Sequence, residues 1–489
     1  MKRLFARWPT THLVRPRRSP SDVQRRSRSL PPFHLWFALL VWASSSGVLA
    51  QASSHVSRGS AVERAMRDNP QVAASRAAVA QAEARRGQAS AARFPAVSVV
   101  LGTGPSLKAE LVPGTAVEST EDTYGDVGLS DMSIAIGGQL EIVQPLYTFG
   151  KIGHRAQAAQ HEIRARNAQA EMTRADVGVS VAGLYEGLLF ARDAERFFDE
   201  TSHWLARTIE DTRNEIEAGT GATEQDLLRL QAARGAIQIA LNQAATSRRQ
   251  AEAGLVAYLG LPARTSLSPE EEWLELLPTP PADAGPMIRM ALDHRPELRA
   301  LSEGSAAYHA LAQAEAAGNL PDLFAMAFLF GGYTPGRDVV DTRYVRDPLN
   351  GFYPGVLVGA RWQWTAGMAD RRADENEAKA RELAHTRRWA RAGLPAEVQK
   401  AFEDVQRAKR DADESERTVK NAKRWLVQAS ADYSVGLGES DAVTDAAQAY
   451  VQLRIAHFDA KFRHNVALAD LARATGTLSS PRNPFYPNH

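Results

Sequence analysis

The chain has 489 residues, 44% hydrophobic and 24% charged, with no cysteine and a formal net charge of +1. That length suits two or three globular domains or one elongated assembly unit. The missing cysteines exclude disulfide scaffolds, thiolate metal sites, a cysteine nucleophile and a lipid anchor on an N-terminal cysteine.

Residues 1–50 carry nine Lys and Arg against one acid, Asp22, a net +8. Their apolar core, Leu35 to Ala43, is followed by small residues and "VLA" before Gln51. A basic region, a short apolar run and a small-residue cleavage site describe a secretory signal. The run is short for a membrane anchor, which is the competing reading. Arg25-Arg26 leaves a twin-arginine route open beside the general one. Without this stretch a chain of net +1 becomes −7, which excludes a basic nucleic-acid footprint.

The remainder is a tandem duplication. Pro70 and Pro95 recur as Pro296 and Pro321 at an offset of 226. "TFG" at Thr148–Gly150 recurs as "TAG" at Thr365–Gly367, and Gly219 recurs as Gly436, both at an offset of 217. The offset therefore changes by nine in one place, between Pro95 and Gly150, where a hairpin loop is expected.

In chain order, each repeat reads as helix, strand, strand, long helix, turn, helix. The first helices are expected over about 60–93 and 287–319, each ended by a proline. Strands follow over about 95–104 and 132–144, and again over 321–332 and 353–365. The long helices, 151–218 and 368–435, would each measure roughly 100 Å. Ala156, Ile163, Ala170, Val177 and Leu184 repeat every seven residues along the first, a coiled-coil seam. The two shorter helices of a repeat, stacked end to end, match the long one in length. The domain reading is a signal at 1–50, repeat 1 at 51–262, an equatorial linker at 263–286, repeat 2 at 287–477 and an irregular tail at 478–489.

The strands show alternating faces: Ile134, Ile136, Leu140 and Ile142; Val356, Val358, Ala360, Trp362 and Trp364. Phe324, Met326, Phe328 and Phe330 form a third, and Val97, Val99 and Leu101 a fourth. Period-two runs of this length suit transmembrane strands with one lipid face, a soluble sandwich being the alternative. Four strands cannot close a barrel and open edges are not tolerated in lipid, so a homo-oligomer follows, with a trimer of twelve strands the best fit.

From about Ser60 to Gly476 the chain resembles the TolC-like outer-membrane efflux family. The match rests on "NPQV" (Asn69–Val72) and "RPEL" (Arg295–Leu298), "QPLYTFGK" (Gln144–Lys151), "AYLGLP" (Ala257–Pro262) and "YSVG" (Tyr433–Gly436). The resemblance implies a mainly α fold with a membrane β-barrel portion: a trimeric 12-stranded barrel continued by an α-helical coiled-coil tunnel. It implies docking onto a periplasmic adaptor protein and an inner-membrane pump of RND or ABC type, contact with outer-membrane lipid, no nucleic acid and no cofactor.

On that resemblance the tunnel tip lies at Gly219, Thr220, Gly221, Val435, Gly436 and Leu437, the adaptor-contact candidates. Thr223 and Ser440 are candidate N-caps of the returning helices, and Thr223-x-x-Asp226 resembles a capping box. The family's gate tyrosine falls on Tyr433 and one gate aspartate on Asp445. The other aspartate position is Ala442, with Asp441 beside it, and the arginine position is Gly438. An acidic ring is expected from Asp432, Glu439, Asp441 and Asp445, or else an ordinary acidic helix start.

A passive duct needs neither nucleophile nor metal. The 12 histidines are scattered, with no His-x-x-x-His pair backed by a glutamate, and no phosphate-cradling "GxxxxGK" occurs. The reading is therefore an outer-membrane exit duct of a tripartite efflux or type I secretion system, extending into the periplasm. The rival is a secreted coiled-coil or adhesin-type protein without a pore.

Overall fold

The computed structural model describes residues 53–108, 129–219, 221–280, 283–338, 347, 349–435, 437–438, 440–478 and 483. The expected signal segment lies outside them, as does nearly all of the expected tail.

Elements run in the order β1 (Ser53–Val56), α1 (Arg58–Asp68), α2 (Pro70–Ala91), β2 (Ala96–Leu107), β3 (Met132–Tyr147), α3 (Lys151–Ala218) and α4 (Glu224–Tyr258). The second half follows as β4 (Ser266–Pro269), α5 (Gly285–His294), α6 (Pro296–Ala316), β5 (Asp322–Tyr333), β6 (Gly351–Arg361), α7 (Met368–Ser434) and α8 (Ser440–Ala474). Helices α3 and α7 hold 68 and 67 residues, hence about 100 Å each. Pro395 sits inside α7 without ending it.

The single helix expected before each strand pair is two helices. Asn69 and Arg295, each preceding a proline, take extended backbone (ψ 136 and 119) and split α1 from α2 and α5 from α6. The proline ring disfavours helical geometry at the residue before it and here serves as the first residue of the next helix. Asn69 also caps α2, its Oδ1 accepting from Gln71 N at 2.8 Å.

Strands β2, β3, β5 and β6 form an antiparallel sheet in the order β2-β3-β5-β6, with β2 and β6 as edges. β6 ends at Arg361, so Trp362 and Trp364 lie beyond it. Register decides the faces. Val97, Ile142, Ala327 and Val356 stand side by side, and that face continues through Val99, Leu140, Leu101 and Val358. It is apolar and exposed: Leu101 is 79%, Val356 84% and Val358 76% accessible. The opposite face aligns Ser98, Glu141, Phe328 and Gly355. The row Phe324, Met326, Phe328 and Phe330 therefore shares its face with Glu141, Gln139 and Ser98, not with Val97, Val99, Val356 and Val358. In a period-two strand a one-residue choice of register moves every side chain across the sheet. Gly355 leaves room for the Phe328 ring, which any side chain there would overlap.

Both strand-to-helix junctions are built alike. Phe149 and Gly150 have φ of 49° and 88°, and Ala366 and Gly367 have 50° and 83°. Two successive left-handed residues turn the chain from sheet into helix, and Lys151 N and Met368 N close the turn on Thr148 O and Thr365 O at 3.0 and 3.1 Å.

A small parallel sheet pairs β1, at the start of the expected repeat 1, with β4, in the region expected to be linker. It flanks the apolar core, in which Tyr185 and Leu189 of α3 meet Leu255 of α4 and Leu468 and Leu471 of α8. Four residues per strand carry no readable periodicity, which is why the pattern missed it. Within this core Arg58 Nε donates to Glu186 Oε1 at 2.5 Å, and Asn465 Nδ2 donates to Glu186 Oε2 at 2.8 Å. Among the described residues no helix is long and apolar enough to cross a membrane.

Candidate functional site

The two helical hairpins, α3–α4 and α7–α8, turn at the same end of the molecule. Helix α3 ends at Gly219, whose φ of 70° is the left-handed cap that glycine takes without a Cβ penalty. Gly221 follows at φ 107°. Thr223, extended at φ −113°, is the N-cap of α4 in a reciprocal capping box with Asp226. Thr223 N donates to Asp226 Oδ2 at 3.0 Å and Asp226 N donates to Thr223 Oγ1 at 3.3 Å.

Asp226 does more than cap. Its other oxygen, Oδ1, accepts from Ser440 Oγ at 2.6 Å, across from α4 to α8. The hydroxyls of Ser440 and Thr223 hold the Asp226 carboxyl below the usual carboxylate range, and Arg229 nearby adds to this. One helical turn on, Arg229 forms an ion pair with Asp441. The tips of the two hairpins are thus joined twice.

Ser440, the other cap candidate, is the first residue of α8, and its hydroxyl donates to Asp226; Glu439 before it lies outside the described residues. Thr220 and Gly436 also lie outside them. Helix α7 closes with Val435 N on Ala431 O at 3.3 Å, and Leu437 N and Gly438 N both donate to Asp432 O, at 2.9 and 3.1 Å. That wrap crowds Gly438: a Cβ there would lie 3.0 Å from Tyr433 N, a tight contact that disfavours a larger residue.

Of the remaining candidates, Val435 and Leu437 are exposed at 67% and 85%, bare apolar side chains at the tip. Tyr433 is partly exposed, and burial first, then the charges of Glu215 and Asp226, push its phenol up, so it stays protonated. Asp445 is exposed and Asp432 half-buried. Asp441 and Asp445 share a face of α8, but Asp441 is committed to Arg229. The acidic set expected there is thereby reduced. Arg229 was not legible beforehand: an arginine in the first turns of a polar helix looks like any solvated charge.

Residues 61–261 match the family described as outer membrane efflux protein. No curated protein sequence matches the chain. Among solved structures, the Campylobacter jejuni CmeC outer membrane channel superposes with a TM-score of 0.69 at 15% identity, covering 92% of this chain and 94% of that one. The Vibrio cholerae outer membrane protein VceC gives 0.67 at 17%, covering 86% and 96%. The open state of the Neisseria gonorrhoeae MtrE outer membrane channel gives 0.66 at 16%, covering 86% and 89%.

Proposed function

We propose that this chain, whose first repeat belongs to the outer membrane efflux protein family, is the outer-membrane exit duct of a tripartite efflux system, three copies sharing one barrel. The observation that carries this is the sheet: four strands, two unpaired edges, one predominantly apolar face exposed at its edge strands, and long helices following its strands in the chain. Four strands leave edges that lipid does not tolerate. Joining β2 of one copy to β6 of the next through three copies closes twelve strands and removes every edge. The Val97–Val356 face then meets lipid, while Ser98, Gln139, Glu141 and the aromatic row line the interior.

The helices carry the duct from the outer membrane into the periplasm, where the tip meets an adaptor protein coupled to an inner-membrane pump, of RND or ABC type. The duct is passive and catalyses nothing. A secreted coiled coil without a pore has no use for an apolar exposed sheet.

At the tip, the Asp226–Ser440 and Arg229–Asp441 joints form a lock between the hairpins, and Tyr433, Asp432, Asp445 and Glu439 border the gate. The exposed Val435 and Leu437, with Gly219, Thr220, Gly221 and Gly436, form the adaptor contact. Gly219→Pro removes the left-handed cap, since proline fixes φ near −65°. Inserted trimers with export abolished are expected, and normal export in that variant would remove the docking role.

The channel itself is tested on the purified mature chain. It should require detergent, run as a trimer by light scattering and pass ions in a planar bilayer. A monomer soluble without detergent sinks the proposal.

A further inference from the structure

Above the Asp226–Ser440 joint, the hairpins part around a cavity of about 750 Å³. It lies between α3, α4, α7 and α8. From Phe197 to Thr212 it follows α3 for about 22 Å. Trp204 and Leu205 of α3, Ile237 of α4 and Val451 of α8 supply an apolar lining. At the end away from the tip, Phe197 stacks edge-on against Tyr450 and Phe458, at 5.9 and 6.3 Å between centroids. The volume falls in the range of small-molecule sites, about 300–1,000 Å³.

One charge on this wall has no counter-ion. Arg454 lies with its guanidinium carbon 4.8 Å from the Phe458 ring centroid, and its Nε is buried without a hydrogen-bond partner. Among the described residues no carboxylate pairs with it. The other charges bordering the cavity are accounted for. Asp226 accepts from Thr223 and Ser440, Arg229 is paired with Asp441, and Glu200 is exposed to solvent. Nearby, Lys461 and His457 have their pKa values lowered by burial and by Arg454, a local excess of positive charge.

We infer that this cavity binds a long-chain carboxylate, its head on Arg454 and its unbranched tail running towards the tip past Trp204, Leu205 and Ile237. The slot is long and apolar, with a half-buried cation that lacks a counter-ion at one end, and an amphiphile of that shape and sign satisfies both features at once. An occupant touches all four helices just above the lock, so its binding is coupled to any separation of the hairpins.

The test uses the full mature chain in amphipol and dibrominated stearate, whose bromines quench tryptophan fluorescence. A saturable quench is expected, and Trp204→Phe should remove it. Arg454→Gln should weaken it about tenfold or more, as the loss of a charge-assisted hydrogen bond requires. The methyl ester of the same probe should bind wild type as weakly as the acid binds that variant, which keeps the test open if Arg454→Gln fails to assemble. Quenching that persists in Trp204→Phe comes from other tryptophans, such as Trp362 and Trp364 beyond β6, and overturns the site. Equal affinity for acid and ester overturns the role of Arg454. An adaptor helix as the true occupant would be revealed by stearate failing to quench Trp204 at all, which also overturns the proposal.

Discussion

Glu186→Ala is expected to destabilise the assembled protein by about 3–5 kcal/mol, seen as a fall of several degrees in the thermal midpoint of the purified trimer. Glu186 is 0% exposed and holds the guanidinium of Arg58, itself 5% exposed, at 2.5 Å. Removing the carboxylate takes from that cation its shortest ion pair, with Glu271 standing farther off at 3.6 Å. It also strips Asn465 Nδ2 of one of its two acceptors, the other being Glu275 O. The loss reaches three segments at once, because Arg58 opens α1, Glu186 lies in mid-α3 and Asn465 in α8. Glu186→Gln keeps the shape and some of the hydrogen bonding, so its midpoint should fall between wild type and alanine. Replacing Arg58 and Glu186 together by methionine should recover most of the loss, since it is the unpaired charge, not the missing pair, that is costly. An unchanged midpoint in Glu186→Ala would mean that water or Glu271 already neutralises Arg58.

Releasing the tip should open the duct. Asp226→Ala deletes the acceptor for Ser440 and half of the α4 capping box. A hydrogen bond to a charged group contributes about 1.5–3 kcal/mol, so each released protomer should favour separated hairpins by about 10- to 150-fold. Three protomers share one gate, and the expected result is a large rise in bilayer conductance. Ser440→Ala should give a smaller rise, and Arg229→Ala the least, because exposed ion pairs contribute only about 0–1 kcal/mol. The pH dependence follows from the depressed Asp226 value. The stabilisation is complete above the ordinary carboxylate pKa of 3.8 and is lost as pH falls through the lower folded value. Conductance should therefore hold steady near neutrality and rise only in strong acid. Unchanged conductance in both Asp226→Ala and Ser440→Ala, with trimers inserted, would retire this lock.

The repeats were legible because prolines and glycines punctuate them at fixed offsets, and the long helices because a seven-residue apolar series runs uninterrupted from Ala156 to Leu184. The break at Asn69-Pro70 was legible too, but the reading passed over it in favour of a longer helix. Strand β5 was read from its larger side chains. Which alternation faces outwards depends on what Glu141 and Ser98 of the neighbouring strands require, and a strand read alone lacks that information. The tip divides in the same way. Thr223 and Asp226 are three apart in sequence, so their capping box could be read. Asp226 and Ser440 are 214 apart and meet only because two hairpins end level.

That level ending follows from α3 and α7, 68 and 67 residues long, starting from matching junctions at Gly150 and Gly367. The two helices act as paired rulers, and what matters is their difference rather than their length. One residue added to α3 alone would lower its tip by about 1.5 Å and rotate it by about 100°, carrying Asp226 away from Ser440. Seven residues added to all the stacked helices together would keep every seam and both joints in phase and lengthen the duct by about 10 Å. The two connections beyond the sheet bear no such constraint, and there the repeats differ, with 24 residues between β2 and β3 against 17 between β5 and β6.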